Sequence, residues 1–187
     1  MAACLASAFF DDPLWGHWTF PDESKRASQM PEYMRFWAST AVRDPWVRIS
    51  DGCEAVAVWH PPGEPELTPE QEEDLWPLMD MWFGERVGEL RALFDQFEEH
   101  HPQEEPHFYL GWWATHRDHA GRGLGTALIR ENLAEIDATG FPAFLESTNP
   151  VNLPRYEALG FERRAQFGPP GGPVITTIWR EALSRRD

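Results

Sequence analysis

The sequence is short of positive charge. Sixteen lysines and arginines face 31 aspartates and glutamates over 187 residues, a formal net charge of −15. A nucleic-acid surface needs a basic footprint, so this balance argues against a nucleic-acid partner. It argues equally against an anionic membrane face, and it suits a cationic or amine-bearing small molecule. Cysteine is scarce as well. Cys4 and Cys53 are too few for a disulfide framework, which points to a reducing cytoplasm. No apolar run approaches the roughly 20 residues that a membrane span needs. Residues 1–13 carry no basic region and meet Asp11, Asp12 and Pro13 early, so they read as an amphipathic helix instead of a secretory signal. The seven histidines include the neighbours His100 and His101, but none has zinc-ligand spacing, and no metal is expected.

What is present suffices for a core. Apolar residues make up 42% of the chain and aromatics 13%, which excludes compositional disorder, and the length fits one domain over residues 1–187. Leu5, Phe9 and Phe10 form a helical stripe that Pro13 stops. Leu14 to Phe20 is aromatic and irregular. Ser28 to Thr40 has Met30, Met34 and Trp37 at helical spacing. Trp46 to Ser50 and Glu54 to His60 alternate like the two strands of a hairpin around Asp51–Gly52. A proline-rich acidic loop then leads into a helix with Thr68 as N-cap, Pro69 in the first turn and Gln71 at the capping-box position. Leu75 to His100 is helical in pattern with a break near Gly84 or Gly88. His107 to Thr115 is β-prone. Gly125 to Thr139 is a helix with Leu128, Ile129, Leu133 and Ile136 inward. Ala143 to Thr148 is a strand, Pro154 to Leu159 a short helix closed by Gly160, and Phe161 to Phe167 and Val174 to Trp179 are the last strands. The alternation of strands and helices makes the fold class mixed α/β. The acidic stretches Glu64–Asp74 and Glu98–Glu105 read as solvated surface.

The informative segment is His116 to Leu128. It follows a strand and opens a helix, with Gly121, Gly123 and Gly125 at every second position. Glycines let backbone N–H groups approach a ligand without Cβ interference, and the helix adds its unpaired amides and the positive end of its dipole. That combination wants an anion, most often a phosphate. Arg122 can add charge and Thr126 a hydroxyl. A P-loop is excluded because no Gly-Lys-Ser/Thr follows, and the dinucleotide fingerprint has a different spacing. A plain glycine-rich helix cap is the other reading of the loop.

Ala120-Gly-Arg-Gly-Leu-Gly125 after a strand resembles motif A of the GNAT family of N-acetyltransferases. A second block, Phe144 to Phe161 with its Tyr156-Glu-Ala-Leu-Gly-Phe161 ending, is similar to the family's next strand and helix. The likeness runs from about Ala6 to Trp179 and is densest after Phe108. It implies one N-acetyltransferase domain with a mostly antiparallel, twisted central sheet, a V-shaped split that holds acetyl-CoA, and flanking helices. It also implies a monomer or homodimer that acetylates a small amine, an aminonucleoside antibiotic being one candidate. Two departures stand out. Ala120 occupies the position of a usual Gln or Arg. Family members begin with a strand before their first helix, whereas this sequence begins inside that helix.

The resemblance assigns roles residue by residue. Free backbone groups of Trp113, Ala114 and Thr115 would pair with the pantetheine amides. The loop of Ala120, Gly121, Arg122, Gly123, Leu124, Gly125 and Thr126 would hold the pyrophosphate. Asn152 would contact the pantetheine arm, or else cap the helix that starts near Pro154. Tyr156 would protonate the departing thiolate, or else pack against Phe161. Glu146, at the end of a strand beside the cleft, is the first candidate for general base, with a structural carboxylate as the alternative. His107 and His116 flank the central strand without an assigned role. Trp112 and Trp113 are adjacent and so face opposite sides. With Trp15, Trp18 and Phe36 they could shape an aromatic acceptor pocket, although core packing suits most of the ten tryptophans. A peptide acetyltransferase of the same fold and a non-catalytic acyl-CoA-binding module are the rival functions.

Overall fold

The structure, a computed structural model, describes residues 1–42 and 45–183, so the last four residues of the expected 1–187 domain lie outside the described part. Six strands form one sheet: β1 (Val47–Ile49), β2 (Ala55–His60), β3 (Phe108–Thr115), β4 (Ala143–Ser147), β5 (Glu162–Phe167) and β6 (Ile175–Arg180), in the spatial order β1-β2-β3-β4-β6-β5. Every neighbouring pair is antiparallel except β3 and β4, which run parallel. Six α-helices flank the sheet: α1 (Ala2–Phe9), α2 (Glu23–Ala41), α3 (Pro69–Phe83), α4 (Val87–His100), α5 (Leu124–Thr139) and α6 (Leu153–Glu157). Among the described residues, no helix is long and apolar enough to cross a membrane.

Local chemistry explains most boundaries. The Thr68 capping box forms as expected, with Thr68 N donating to Gln71 Oε1 at 2.8 Å and Gln71 N to Thr68 Oγ1 at 3.3 Å. The long helical stretch breaks at Gly84, whose φ of +51° no side chain adopts cheaply, and α4 begins after it. Two segments differ from the sequence reading. The helix expected from Ser28 starts at Glu23, because the Asp22 carboxylate caps Lys25 N at 3.0 Å and sets an earlier N-terminus. The stretch expected to be irregular after Pro13 winds into a π-helical turn, Pro13–Trp18, held by Asp12, which accepts from the amides of Leu14 and Trp15.

The sheet separates two apolar layers. Helices α1 to α4 pack with Val56, Val58, Trp112 and Ala114 on one face. Helix α5 packs with Ala57, Trp59, Phe108, Leu110 and Leu145 on the other. Strand β2 is buried along its whole length and simply alternates between the layers. Strand β3 does not. Its even-numbered residues Phe108 and Leu110 face α5, whereas Trp112 and Ala114 face the other helices. The cause is a bulge: Val58 pairs with Trp112 and Trp59 with Leu110, which leaves Gly111 as an extra residue and switches the faces. Across the α5 layer, Trp59 Nε1 donates to the buried Asn132 Oδ1 at 3.1 Å.

The end of α5 is tied to β6 by a two-pronged ion pair. Arg180 donates to both Asp137 oxygens, at 2.6 and 2.8 Å, with the side chains only 7% and 16% exposed. Arg180 also donates to Leu159 O at 2.9 Å, which draws in the turn after α6. Removing one partner of such a pair leaves a desolvated charge alone. Asp137→Ala is therefore expected to lower unfolding free energy by about 3 kcal/mol. Urea titration would measure this, and a loss under about 1 kcal/mol, the size of an exposed pair, would refute it.

Candidate active site

Parallel strands β3 and β4 pair only at Phe108↔Ala143 and Tyr109↔Phe144. Past that point β3 continues against β2 to Thr115, and β4 continues against β6 to Ser147, but the two no longer meet. The sheet thus opens in its middle, immediately before the Gly111 bulge. The far side of the opening is pinned by Asp12, whose second oxygen accepts from Thr148 Oγ1 at 3.0 Å just beyond β4. Burial raises the Asp12 carboxyl above the usual carboxylate range, against the pull of its three donors.

A cleft of about 500 Å³ occupies the opening. Its walls include Trp113, Ala114, Thr115, Ala120, Gly121, Gly123, Leu124, Gly125, Thr126, Asn152 and Tyr156. The structure therefore brings together all the candidate residues except Arg122 and Glu146. Arg122 does not line the cleft, and its guanidinium lies 2.8 Å from His119 Nδ1.

The glycine loop has the expected physical character. Gly121 and Gly123 have φ of +76° and +80°, in the left-handed region. Gly123 is the N-cap of α5 and supplies no side-chain acceptor, while Ala127 N is bonded to Gly123 O at 2.9 Å. The preceding amides of Leu124, Gly125 and Thr126 have no partner within the helix and border the cleft. Gly125 answers a different need. A Cβ there would run into Thr115 Oγ1 and lie 2.9 Å from Trp113 Nε1, which donates to Gly125 O at 3.1 Å. Helix and strand touch only because this side chain is absent.

Asn152 precedes α6 but makes no capping hydrogen bond; Asn149 accepts from Val151 N at 3.1 Å instead. Of its two readings, the cap is not realised, and Asn152 faces the cleft. Tyr156 packs edge-on against Trp113, with centroids 5.4 Å apart, and against Phe161 at 6.1 Å. Burial pushes its phenol well above the ordinary value, so it keeps its proton at any working pH.

Glu146 stands one step away. A small cavity of about 60 Å³ shares Phe9, Asp12, Trp113, Asn152 and Tyr156 with the cleft and reaches Glu146. On its other side Glu146 lines a larger cavity of about 1210 Å³, walled by residues between His60 and Trp76 and between Phe94 and Tyr109. The Glu146 side chain is 3% exposed, and its Oε1 accepts no hydrogen bond. Burial raises its carboxyl, and His101, with Nδ1 at 3.8 Å, acts the other way.

The histidines fix where that proton can sit. His107 Nδ1 is 2.6 Å from Glu105 O, so it carries hydrogen. Burial lowers the His107 imidazole, which leaves Nε2 a bare acceptor. His101 Nε2, at 3.1 Å, must then donate to it. His101 Nδ1 is left facing Glu146 Oε1 across 3.8 Å, beyond hydrogen-bond distance. His101 was not singled out from sequence. Nor was Glu66, whose carboxyl is raised by burial beside His60 and Glu146. Both lie in stretches read as solvated surface. The capping box two residues on turns Glu66 inward, and ring contacts with Tyr109 and Phe144, at 4.9 and 5.0 Å, hold His101. The aromatic acceptor pocket is not formed. Trp112 is buried between Phe9, Trp15 and Trp37, and Trp15 stacks on Phe97. Trp18 and Phe36 pack against the same core.

The Acetyltransferase (GNAT) family model matches residues 39–161. The chain belongs to the GNAT family. Its fold is similar to a crystal structure named histone acetyltransferase HPA2 and related acetyltransferase, from Corynebacterium glutamicum, with 20% identity, a TM-score of 0.67, and coverage of 100% of this chain and 91% of that one. It is also similar to arylalkylamine N-acetyltransferase 2 from Aedes aegypti, with 14% identity, a TM-score of 0.61, and coverage of 97% and 93%. As a GNAT protein it is an acyltransferase, of a family that uses acetyl-CoA. The cleft fits that cosubstrate: unpaired helix amides suit a pyrophosphate, and the open edges of the split strands suit an arm of amides.

Gly125→Ala tests the fit. Alanine gains about 1 kcal/mol of helix propensity at such a position, but the Cβ meets Trp113 and Thr115, so the clash decides the sign. Acetyl-CoA affinity by calorimetry is expected to fall at least about tenfold, or ~1.4 kcal/mol. Unchanged affinity would show that the close approach does not shape the cleft.

Proposed function

We propose that the protein transfers the acetyl group of acetyl-CoA directly to the amine of a small molecule, within one catalytic unit. The observation that carries this reading is the order of three adjoining spaces: the glycine-loop cleft and the small cavity share Trp113, Asn152 and Tyr156, and the small and larger cavities have Glu146 in common. Trp113, Ala114 and Thr115 offer backbone groups to the pantetheine arm, and Asn152 its amide. The amides from Gly121 to Thr126 hold the pyrophosphate, and Ala120 lines their approach without a polar contact of its own. An aminonucleoside such as puromycin belongs in the acceptor screen because Ala55-Val-Ala-Val-Trp59 and Asn152-Leu-Pro resemble puromycin N-acetyltransferase.

Acetyl-CoA supplies the acetyl group as a thioester. The amine arrives as an ammonium and must lose a proton before its nitrogen can attack. Glu146 with His101 takes that proton, and His107 keeps His101 in the tautomer that faces Glu146. As the C–N bond forms and the C–S bond breaks, Tyr156 gives its proton to the departing sulfur. The second nitrogen proton restores the phenol, and one proton is released overall. A phenol raised by burial is suited to this role because it is always protonated when called on.

The reading is tested by acetyl-CoA calorimetry alongside thiol release with a panel of primary amines, puromycin included. Binding together with amine-dependent release supports it, and absence of acetyl-CoA binding overturns it. Tyr156→Phe is expected to lower kcat by about 10²–10³-fold while acetyl-CoA affinity holds. An unchanged kcat would return Tyr156 to a packing role.

The raised Glu146 makes a linked pair of expectations. Its folded carboxyl holds a proton more tightly than the unfolded one. The stability this gives is present at low pH and is lost as pH rises through the folded value. Catalysis needs the opposite state, so kcat/KM should climb with pH along a limb above the ordinary carboxylate range. Glu146→Gln should erase that limb, cut kcat by about 10²–10⁴-fold, and leave thermal stability at pH 8 equal to or above that of the parent. A variant that loses stability with its pH limb intact would make Glu146 a structural carboxylate.

A further inference from the structure

The larger cavity is lined by eight carboxylates and, among the described residues, by no lysine or arginine. Their placement is graded. Glu66 and Glu146 lie at the inner end near the bulge, where an added Cβ on Gly111 would sit 3.5 Å from Glu66 Oε1 and 3.1 Å from His60 Nε2. Glu64, Glu72, Asp95, Glu98 and Glu105 are exposed around the mouth. Surface carboxylates alone would be a solvated rim. The inner end is different, because Glu146 lines the cavity with a side chain only 3% exposed, and its Oε1 has no hydrogen-bond partner, His101 Nδ1 standing 3.8 Å away. Burying an acceptor unpaired is costly, and a charged donor is the partner that offsets it. Leu75, Trp76, Phe94 and Phe97 supply an apolar part of the same wall.

We infer that the acceptor is a polycationic amine, with one nitrogen seated at Glu146 for reaction, a methylene stem along the apolar wall, and one or more further ammonium groups held by Glu66 and the acidic mouth. This rests on the proposed acetyl transfer and names its substrate class. A single ammonium would use the inner site only. A molecule with a second and third ammonium uses both levels and enters down a field of one sign, which also speeds encounter.

Thiol release is compared for propylamine, 1,4-diaminobutane, spermidine and puromycin at fixed acetyl-CoA. Each added ammonium is expected to raise kcat/KM by about five- to tenfold at low salt, from screened pairs. The gain should shrink as salt shortens the screening length. Puromycin, with one primary ammonium, should rank with propylamine. Glu66→Gln should raise KM for spermidine by a larger factor than for propylamine. If that buried variant fails to fold, the exposed double variant Glu72→Gln/Glu98→Gln carries the same comparison. Equal kcat/KM for propylamine and spermidine, preference for puromycin, or equal KM changes for mono- and triamine would overturn the inference. Spermidine calorimetry without acetyl-CoA separates the two readings. Spermidine binding in a protein that fails to bind acetyl-CoA keeps this inference and removes acetyl transfer. Turnover of monoamines only does the reverse.

Discussion

The parting of β3 from β4 after two paired positions is the constraint on which the rest of the molecule depends. A continuous sheet would satisfy its own backbone and offer nothing to a ligand. Once the strands diverge, backbone groups on two inner edges lack strand partners in the middle of a covered sheet, where unpaired polar groups are expensive. The structure bears that cost in an organised way. Helix α5 brings its uncapped N-terminus to the same gap, α6 brings Tyr156, and the Pro13–Trp18 turn brings Asp12 to hold Thr148 at the outer side. The extra residue at Gly111 adds the local twist that carries β3 away, and it flips which residues face each layer. One inserted glycine thereby sends Trp112 into the helical core and Trp113 to the cleft.

Buried ionisable groups gather on either side of the same opening. Glu66, Glu146, Tyr109 and Tyr156 all have protonation shifted by loss of water; Glu146 and Tyr156 line the passage, and Glu66 and Tyr109 line the larger cavity. By contrast, Asp137 and Arg180, also largely buried, satisfy each other fully. A fully bonded ion pair is architecture, whereas a buried carboxylate with an unbonded oxygen beside a cavity is a candidate for function. The two sites show how similar degrees of burial lead to different consequences once partners are counted.

Much of the cleft was legible in the sequence because its chemistry is local. A left-handed glycine, an uncapped helix start and a tyrosine three residues into a short helix are written in consecutive residues, and the structure places them around one cleft. Glu146 was found from its place at a strand end. Glu66 and His101 were not, because acidic loops look solvated until a fold closes over them, and only the Thr68–Gln71 capping box hinted that the chain turns sharply beside Glu66. The bulge had a visible sign, a glycine inside the strand pattern Phe108-Tyr-Leu-Gly-Trp-Trp, but the face switch needs the β2 register. Arg122 shows the converse limit. Its position within the loop motif suggested a phosphate contact, yet the side chain is taken by His119.

Geometry also bears on the order of chemical events. An acyl-enzyme route would need a nucleophile between cleft and cavity. The two cysteines are not there: Cys4 Sγ is directed at Glu54 O, 3.4 Å away, and Cys53 Sγ lies 3.3 Å from the amino group of Met1. Neither lines any of the three spaces. The passage is lined by a phenol that holds its proton, Tyr156, and by the buried carboxylate of Glu146, groups suited to moving protons. The layers agree. Glu146 and Tyr109 belong to the face that carries α3 and α4, Trp113 and Tyr156 to the face that carries α5, and the gap in the sheet is where the two reach each other. An opening made by two strands ceasing to pair thus brings the glycine-loop cleft and the Glu146-lined cavity to one place in the sheet.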